Sequence, residues 1–261
     1  MTLPRVVAPE TLDQMEPADP AARRSRRDLA RIHHVMATRR VVARGWQGLV
    51  SAQRAAAPLT VLEIGAGDGT LLLGVARRLA PAWPRVQLTL LDRQPVVSPA
   101  TLAAYAGLGW CATVQIVDVL EWAAPVAGLA PTQPDPPWDL ITTSLFLHHF
   151  EGAQLDAVLA AVATRALRFF ACEPRRAWLA LAGSHLVGAL GANAVTRADA
   201  VLSVHAGFRA QDIGARWPGA RWPGIGLPGA GTWQCQEYSA GHFSHCFSAQ
   251  RVEPCIFELK E

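Results

Sequence analysis

The chain has little charge, almost no lysine and no long apolar run. Charged residues are 17% of the 261 residues. Globular proteins usually contain about 25%. Lys260 is the only lysine. Hydrophobic residues reach 51%, which excludes disorder over most of the chain. Because no run of 18 apolar residues occurs, we expect no membrane-spanning helix.

Cysteine is also scarce, and its pattern argues against disulfides. The number is odd and no C-x-x-C pair occurs, which disfavours a disulfide framework or a zinc ribbon. Residues 1–20 carry acids and prolines and lack the apolar segment of a signal peptide. We therefore expect a cytoplasmic protein with reduced thiols at Cys111, Cys172, Cys235, Cys246 and Cys255.

Charge and histidine spacing exclude two further classes of partner. The net charge of +3 is too balanced to indicate a nucleic-acid binder. Eight arginines between residues 23 and 44 are most simply a solvated helix face. The adjacent His33 and His34 would point about 100° apart on a helix, so they do not favour a metal site. We expect no nucleic-acid partner and no metal.

Strand and helix patterns alternate through the middle of the chain. This order is typical of βαβ units, which form a parallel sheet with right-handed crossovers. Later, two strand-like segments flank Ala240-Gly241-His242 and predict a β-hairpin. The predicted strands are 60–64, 86–91, 113–117, 138–145, 168–172, 233–239 and 243–251, and the predicted helices are 70–79, 101–107, 154–167, 178–190 and 197–207.

The segment before the first strand has a different character. Residues 1–20 are interpreted as a mobile arm, and Asp19-Pro20 predicts a helix start. Apolar residues then recur about every 3.5 positions, as in one or two amphipathic helices. We therefore expect an arm and helical lid over 1–52. A catalytic domain would follow over 53–261, with a helical insertion at about 174–215.

A glycine-rich turn at 61–70, VLEIGAGDGT, is the strongest single signal. Glycines at alternate places let the backbone approach a ligand and turn sharply into the next helix. The third glycine is at 69, whereas the dinucleotide fingerprint requires one at 70. This spacing disfavours a Rossmann oxidoreductase.

Two acids at strand ends extend this signal. Asp92 ends the second predicted strand, where a carboxylate can accept two hydrogen bonds from a ribose diol. Asp118 follows the third predicted strand. Open α/β sheets bind ligands at the carboxyl ends of their strands, so the glycine turn and both acids should face one site.

In these residues the chain resembles the class I S-adenosylmethionine-dependent methyltransferases of small-molecule type, over about residues 58–251. The resemblance implies an α/β, Rossmann-like, doubly wound and mostly parallel seven-stranded sheet, with antiparallel last strands and an N-terminal helical lid. It implies S-adenosylmethionine as the cofactor. It also implies cofactor contacts by Glu63, Gly65, Ala66, Gly67, Gly69, Asp92, Arg93, Asp118, Val119 and Ser144.

The segment 138–150, WDLITTSLFLHHF, resembles the family's fourth motif, which ends beside the transferred methyl group. Histidine has a reference pKa of about 6.5, which suits a general base near pH 7. One histidine could instead pack beneath the loop, and proximity alone could be sufficient for transfer. The catalytic candidates are His149, then His148, and Glu173 at the end of the fifth predicted strand.

The expected function is S-adenosylmethionine-dependent methyl transfer to a small, hydrophobic or aromatic acceptor. Both O- and C-methylation stay open, and secondary-metabolite or quinone biosynthesis is the expected setting. The alternative is a catalytically silent S-adenosylmethionine-binding subunit that activates a partner enzyme. We expect a monomer or a homodimer.

Overall fold

The computed structural model describes residues 3–50, 57–124, 137–221 and 233–252. Cys255 and the predicted boundary between 52 and 53 lie outside the described residues. The other four cysteines have free thiols, as expected.

An open sheet forms the centre of the protein. Its order is β3-β2-β1-β4-β5-β8-β7-β6, so growth reverses direction between β1 and β4. Strands β1 to β5 pair in parallel, and β8 lies antiparallel between β5 and β7. The strands are β1 (Leu59–Ile64), β2 (Val86–Asp92), β3 (Trp110–Ile116), β4 (Leu140–Ser144), β5 (Arg168–Pro174), β6 (Ala220–Arg221), β7 (Trp233–Ala240) and β8 (Ser244–Arg251).

This sheet confirms the predicted fold class. Seven strands form the doubly wound, mostly parallel sheet, and the last two form an antiparallel hairpin. The two-residue β6 adds a short parallel pairing at the β7 edge. Because β7 is antiparallel to β8, it runs in the same direction as β1 to β5.

Helices cover both faces and the carboxyl edge of the sheet. Successive side chains of β1 point to opposite faces of the sheet. Val61 therefore packs in one core cluster and Leu62 in the other. Such two-sided burial is typical of parallel sheets. The helices are α1 (Thr11–Gln14), α2 (Pro20–Val35), α3 (Thr38–Leu49), α4 (Thr70–Leu79), α5 (Pro99–Ala106), α6 (Val119–Ala123), α7 (Gly152–Arg165), α8 (Trp178–Leu186) and α9 (Ala194–Ala206).

The N-terminal region differs from the expectation of a mobile arm. Residues 3–14 are docked: the Val6 amide donates to the His205 carbonyl oxygen over 3.1 Å, and Arg5 Nη2 donates to the Phe150 carbonyl oxygen over 2.9 Å. The predicted helix start is present, since the Asp19 side chain accepts from the Ala21 amide over 2.6 Å and Pro20 is the first helical residue.

Helices α2 and α3 pack in different parts of the structure. Ala37, with a φ of 55°, separates them. The α3 residues Val42 and Trp46 are fully buried in the core beside α4 and β5, so α3 belongs to the layer that covers the sheet. Trp46 Nε1 also donates to Thr142 Oγ1 over 3.3 Å. Helix α2 instead contacts α9.

Helices α8 and α9 lie between β5 and the hairpin, in the range of the proposed insertion. Element bounds differ by a few residues from the pattern, and α6, only five residues long, was not predicted. Among the described residues, no helix is long and apolar enough to cross a membrane.

Candidate functional site

The glycine turn joins β1 to α4 in left-handed backbone conformations. The φ angles of Gly65, Gly67 and Gly69 are +74°, +55° and +73°. A Cβ built on Gly65 would lie 2.1 Å from the Phe146 ring, whereas one built on Gly67 would have no atom of the described chain within 4 Å. Glycine is therefore required at 65 by packing, while Gly67 faces open space.

Gly69 has a different environment. A Cβ there would lie 3.2 Å from Leu90 and 3.3 Å from Thr101. Its carbonyl oxygen accepts a hydrogen bond of 2.8 Å from the Tyr105 hydroxyl. Gly69 thus packs against β2 and α5, away from the cavity described below.

Asp92, at the end of β2, fixes the glycine turn. Its Oδ2 accepts from the Gly67 amide over 2.8 Å, and its Oδ1 accepts from the Gln94 amide over 2.9 Å. Each carboxylate oxygen keeps a second lone pair for a ligand. Asp118, after β3, caps α6 by accepting from the Leu120 amide over 2.7 Å.

Three polar atoms near the turn are buried and unsatisfied. Glu63 Oε2, Ser144 Oγ and Arg39 Nε have no hydrogen-bond partner among the described residues. Burial, followed by the charges of Asp92 and Asp68, raises the pKa of Glu63 well above its usual value. An unpaired buried polar group is costly. All three residues line one cavity, which makes them candidates for ligand contacts.

That cavity measures about 870 Å³ and lies where the strand order reverses. Small-molecule sites usually measure roughly 300–1,000 Å³, so this one is large. One end is formed by the glycine turn and the strand-end acids. The other is mainly apolar and lies beneath α2, α8 and α9; the residues there include Leu29, Ile32, Met36, Val187, Leu190 and Val204.

Glu173 lies behind the cavity wall and holds the turn after β4. It is fully buried. Its Oε1 accepts from the Leu147 amide over 3.0 Å, and its Oε2 accepts from the Phe146 amide over 3.1 Å. His148 Nδ1 donates to Oε2 over 2.9 Å. Both oxygens are therefore engaged in shaping this turn.

His148 lies between two carboxylates. Its Nδ1 faces Glu173, and its Nε2 is 3.3 Å from Glu10 Oε1. Burial alone would lower the pKa of His148, but hydrogen bonds and charges from Glu10 and Glu173 outweigh burial and raise the pKa to about 9. His148 is consequently a cation at neutral pH and cannot accept a proton there.

His149 has the opposite environment. Its ring is stacked at a tilt on His148, with 4.2 Å between centroids, and its Nδ1 is 3.5 Å from Asp13 Oδ2. Burial, followed by the charge of His148, lowers the pKa of His149, although nearby carboxylates oppose this. His149 is neutral at pH 7 and lines the cavity.

Comparisons with known proteins bear on the fold. No family model matches the chain, and no curated protein matches it. Among solved structures, the plantazolicin methyltransferase BpumL in complex with SAH is similar. The TM-score is 0.58 at 13% identity, over 92% of this chain and 94% of that chain. The chain has the class I methyltransferase fold.

Two further structures agree with this class I methyltransferase fold. BpumL with a pentazolic desmethylPZN analog and SAH gives a TM-score of 0.57 at 12% identity, over 90% of this chain and 93% of that chain. An O-methyltransferase family protein from Burkholderia thailandensis gives 0.51 at 15% identity, over 91% of this chain and 62% of that chain. At such identities the likeness is one of fold.

The class I fold brings most of the predicted site residues together. Of the predicted cofactor contacts, all except Gly69 line the cavity. Val119 and Ala66 do so while largely buried. Arg93 lines the cavity too, and its Nη2 donates to the Asp13 carbonyl oxygen over 2.6 Å, which ties it to the N-terminal segment. Both histidines line the cavity, while Glu173 lies behind them.

Several cavity residues were missed by sequence reasoning. Glu10 and Asp13 come from the N-terminal segment, and Arg39 from the start of α3. The sequence contains no motif around them that would have signalled this role. Glu10 and Asp13 meet residues more than 100 positions away, namely His148 and His149, and local patterns do not encode such contacts.

Proposed function

We propose that the protein is an S-adenosylmethionine-dependent methyltransferase with a small, largely apolar acceptor. The observation that carries this proposal is the single cavity that joins the open Gly67 backbone, the unpaired Glu63 carboxyl and the neutral His149. The class I methyltransferase fold adds support, since BpumL was crystallised with SAH. BpumL also binds pentazolic and triazolic analogs, which supports a small organic acceptor.

The unsatisfied groups fit the two ends of the cofactor's amino acid. Glu63 offers an unpaired carboxyl oxygen for an ammonium group, and Arg39 offers an unpaired guanidinium N–H for a carboxylate. In this proposal Asp92 accepts hydrogen bonds from the ribose hydroxyls, and Asp118 with Val119 binds the adenine. When bound, S-adenosylmethionine supplies a methyl group on a sulfonium, and the C–S bond electrons leave with the sulfur.

The acceptor's proton would be removed by a residue of this chain. His149 is neutral and faces the cavity, so it takes a proton from a hydroxyl or an activated carbon of the acceptor. The cationic His148 cannot do so. Glu173 acts as a positioning residue, because its oxygens hold the turn that carries both histidines. The apolar end of the cavity, beneath α2 and α8, receives the rest of the acceptor.

Cofactor binding can be tested with a matched pair of glycines. Gly67 and Gly109 both have positive φ, at 55° and 77°, and neither has atoms within 4 Å of a built Cβ. Only Gly67 lines the cavity. In calorimetric titrations, Gly67→Ala should weaken S-adenosylmethionine binding at least tenfold, while Gly109→Ala binds as the wild type does. Equal affinity in all three proteins would contradict the assignment.

Turnover separates an enzyme from the silent subunit. We expect S-adenosylhomocysteine release when the protein is incubated with S-adenosylmethionine and a panel of phenols, hydroxyquinones and azole-containing acids. His149→Ala, which retains the cofactor contacts named above, is the control for background hydrolysis. Tight cofactor binding with no release across the panel would favour the silent, partner-activating subunit.

A further inference from the structure

The N-terminal segment 3–14 forms one wall of the cavity and reaches both halves of it. On the acceptor side, Glu10 Oε1 meets His148 Nε2 at 3.3 Å and accepts from the Ser203 hydroxyl. On the cofactor side, the Asp13 carbonyl oxygen accepts from Arg93 Nη2 over 2.6 Å and lies 3.4 Å from Gln94 Nε2. The segment therefore bridges the end of β2 and the turn after β4.

The segment is held in this place by α9. The amides of Thr11 and Leu12 donate to the two oxygens of Asp199, each over 2.9 Å. Asp199 is 5% exposed, so its charge is satisfied mainly by these amides. This arrangement fixes the positions of Glu10 and Asp13 relative to the histidines.

The carboxylates of Glu10 and Asp13 contact different histidines. Glu10 and Glu173 lie on opposite sides of His148, so each ring nitrogen of His148 faces a carboxylate. Asp13 faces Nδ1 of His149 and leaves Nε2 as the other ring nitrogen. Glu10 also lies within 4.8 Å of a ring nitrogen of His149, and the Phe146 ring is 6.2 Å away between centroids. Arg93 Nη2 is 3.9 Å from the Asp13 carboxylate.

We propose that Glu10 and Asp13 are positioning residues that give His148 and His149 different roles. Glu10 keeps His148 as a cation that anchors the segment. Asp13 keeps the proton of neutral His149 on Nδ1, so that Nε2 is the nitrogen presented to the acceptor. The inference deepens the proposed function, since it names the residues that orient the base.

This division can be measured without an acceptor, by nitrogen-detected NMR of the histidine side chains in the free, full-length protein. His148→Gln and His149→Gln assign the signals. Between pH 7 and 8, we expect one imidazolium, His148, and one neutral ring protonated on Nδ1, His149. Glu10→Gln should lower the His148 midpoint by at least one pH unit, and Asp13→Asn should raise the Nε2-protonated fraction of His149.

Glu16→Gln is the matched control, because Glu16 is an exposed carboxylate two residues beyond the segment, just after α1. It should leave both histidine signals unchanged. Two neutral histidines at pH 7 in the wild type, or the same signals in Glu10→Gln and Asp13→Asn as in the control, would overturn the proposal. Because no cofactor is present, neither result depends on whether S-adenosylmethionine binds, which calorimetry tests separately.

A divalent cation is the competing occupant of this cluster. Ligand atoms of Glu10, His148 and His149 all lie within 4.8 Å of one another. Calorimetric titration with ZnCl₂ and with MnCl₂ should show no stoichiometric micromolar site. A site that is present in the wild type and absent in Glu10→Gln would overturn the proposal, since His148 would then be a neutral ligand. Chelator treatment should likewise leave the NMR signals unchanged.

Discussion

Two carboxylate–histidine pairs lie side by side, because Glu173 of β5 is the cross-strand partner of His245 in β8. Glu173 on β5 holds His148 at 2.9 Å, and Glu237 on β7 holds His245 at 2.7 Å. Both carboxylates also fix a short 3-10 turn: Glu237 accepts from the amides of Ile213 and Gly214 over 3.1 and 2.8 Å, as Glu173 does from the turn after β4. Both pairs are almost fully buried.

The pairs differ in what surrounds the histidine. His148 lines the cavity and has a second carboxylate, Glu10, and a second histidine beside it. His245 does not line the cavity, and its Nδ1 is buried without a hydrogen-bond partner among the described residues. The same local device therefore shapes a turn in both places. Only a cavity and a neighbouring neutral histidine convert one of them into a candidate reaction site.

The largest effect should come from removing the neutral histidine. His149→Ala should lower kcat by about 10²–10⁴-fold, the usual contribution of a general base, with the cofactor affinity unchanged. His245→Ala should leave kcat per folded molecule within a few-fold of wild type. S-adenosylhomocysteine release at saturating cofactor measures both. A rate for His149→Ala close to that of wild type would mean that methyl transfer relies on proximity alone and uses no general base.

The next effect compares the two carboxylates. Glu173→Gln should lower the free energy of unfolding by about 3–5 kcal/mol, the range for a broken buried ion pair. Glu237→Gln should lower it by about 1–3 kcal/mol, the range for leaving a buried hydrogen-bonding group unsatisfied. Denaturant titrations measure this loss. Only Glu173→Gln should also reduce turnover, because it loosens the turn that carries His149. Equal turnover losses in the two variants would mean that both pairs act only through stability.

The smallest effect is a pH dependence of stability. The pKa of His148 is raised to about 9 in the folded protein, so its contribution is complete below about pH 6.5 and is lost as the pH rises through 9. At 1.36 kcal/mol per pH unit, the loss is on the order of 3 kcal/mol. Unfolding measured from pH 6 to 10 should show this step. Glu10→Gln should reduce it and Glu237→Gln should preserve it.

The fold was predictable because its signals are local. Each strand of the parallel sheet is a short apolar run, and the glycine turn specifies where β1 ends and α4 begins. Once the strands are parallel, their carboxyl ends converge, so Asp92, Asp118 and His149 had to face one site. Bounds were less accurate: β3 begins at Trp110, three residues before the predicted start, because polar and small residues there obscure the pattern.

The electrostatics of the site were not predictable in the same way. The sequence indicated that His148 and His149 belong near the methyl group, yet gave no reason to assign them opposite charge states. That difference depends on Glu10 and Glu173, which contact His148 from 138 and 25 positions away, and on the burial of His149 beside His148. Glu10 and Asp13 belong to a segment interpreted as a mobile arm, since nothing in its composition shows that Asp199 binds it.

The docking of residues 3–14 on α9 also has a consequence for the order of folding. The Thr11 amide donates to Asp199, a separation of 188 residues, so the segment cannot dock until α9 has been synthesised. Contacts of such long range form late and slow folding. The sheet can assemble before the segment docks on α9, because the strands join residues that are nearer in sequence. Newly made chains would therefore pass through a stage that has a complete core and an unfinished cavity wall.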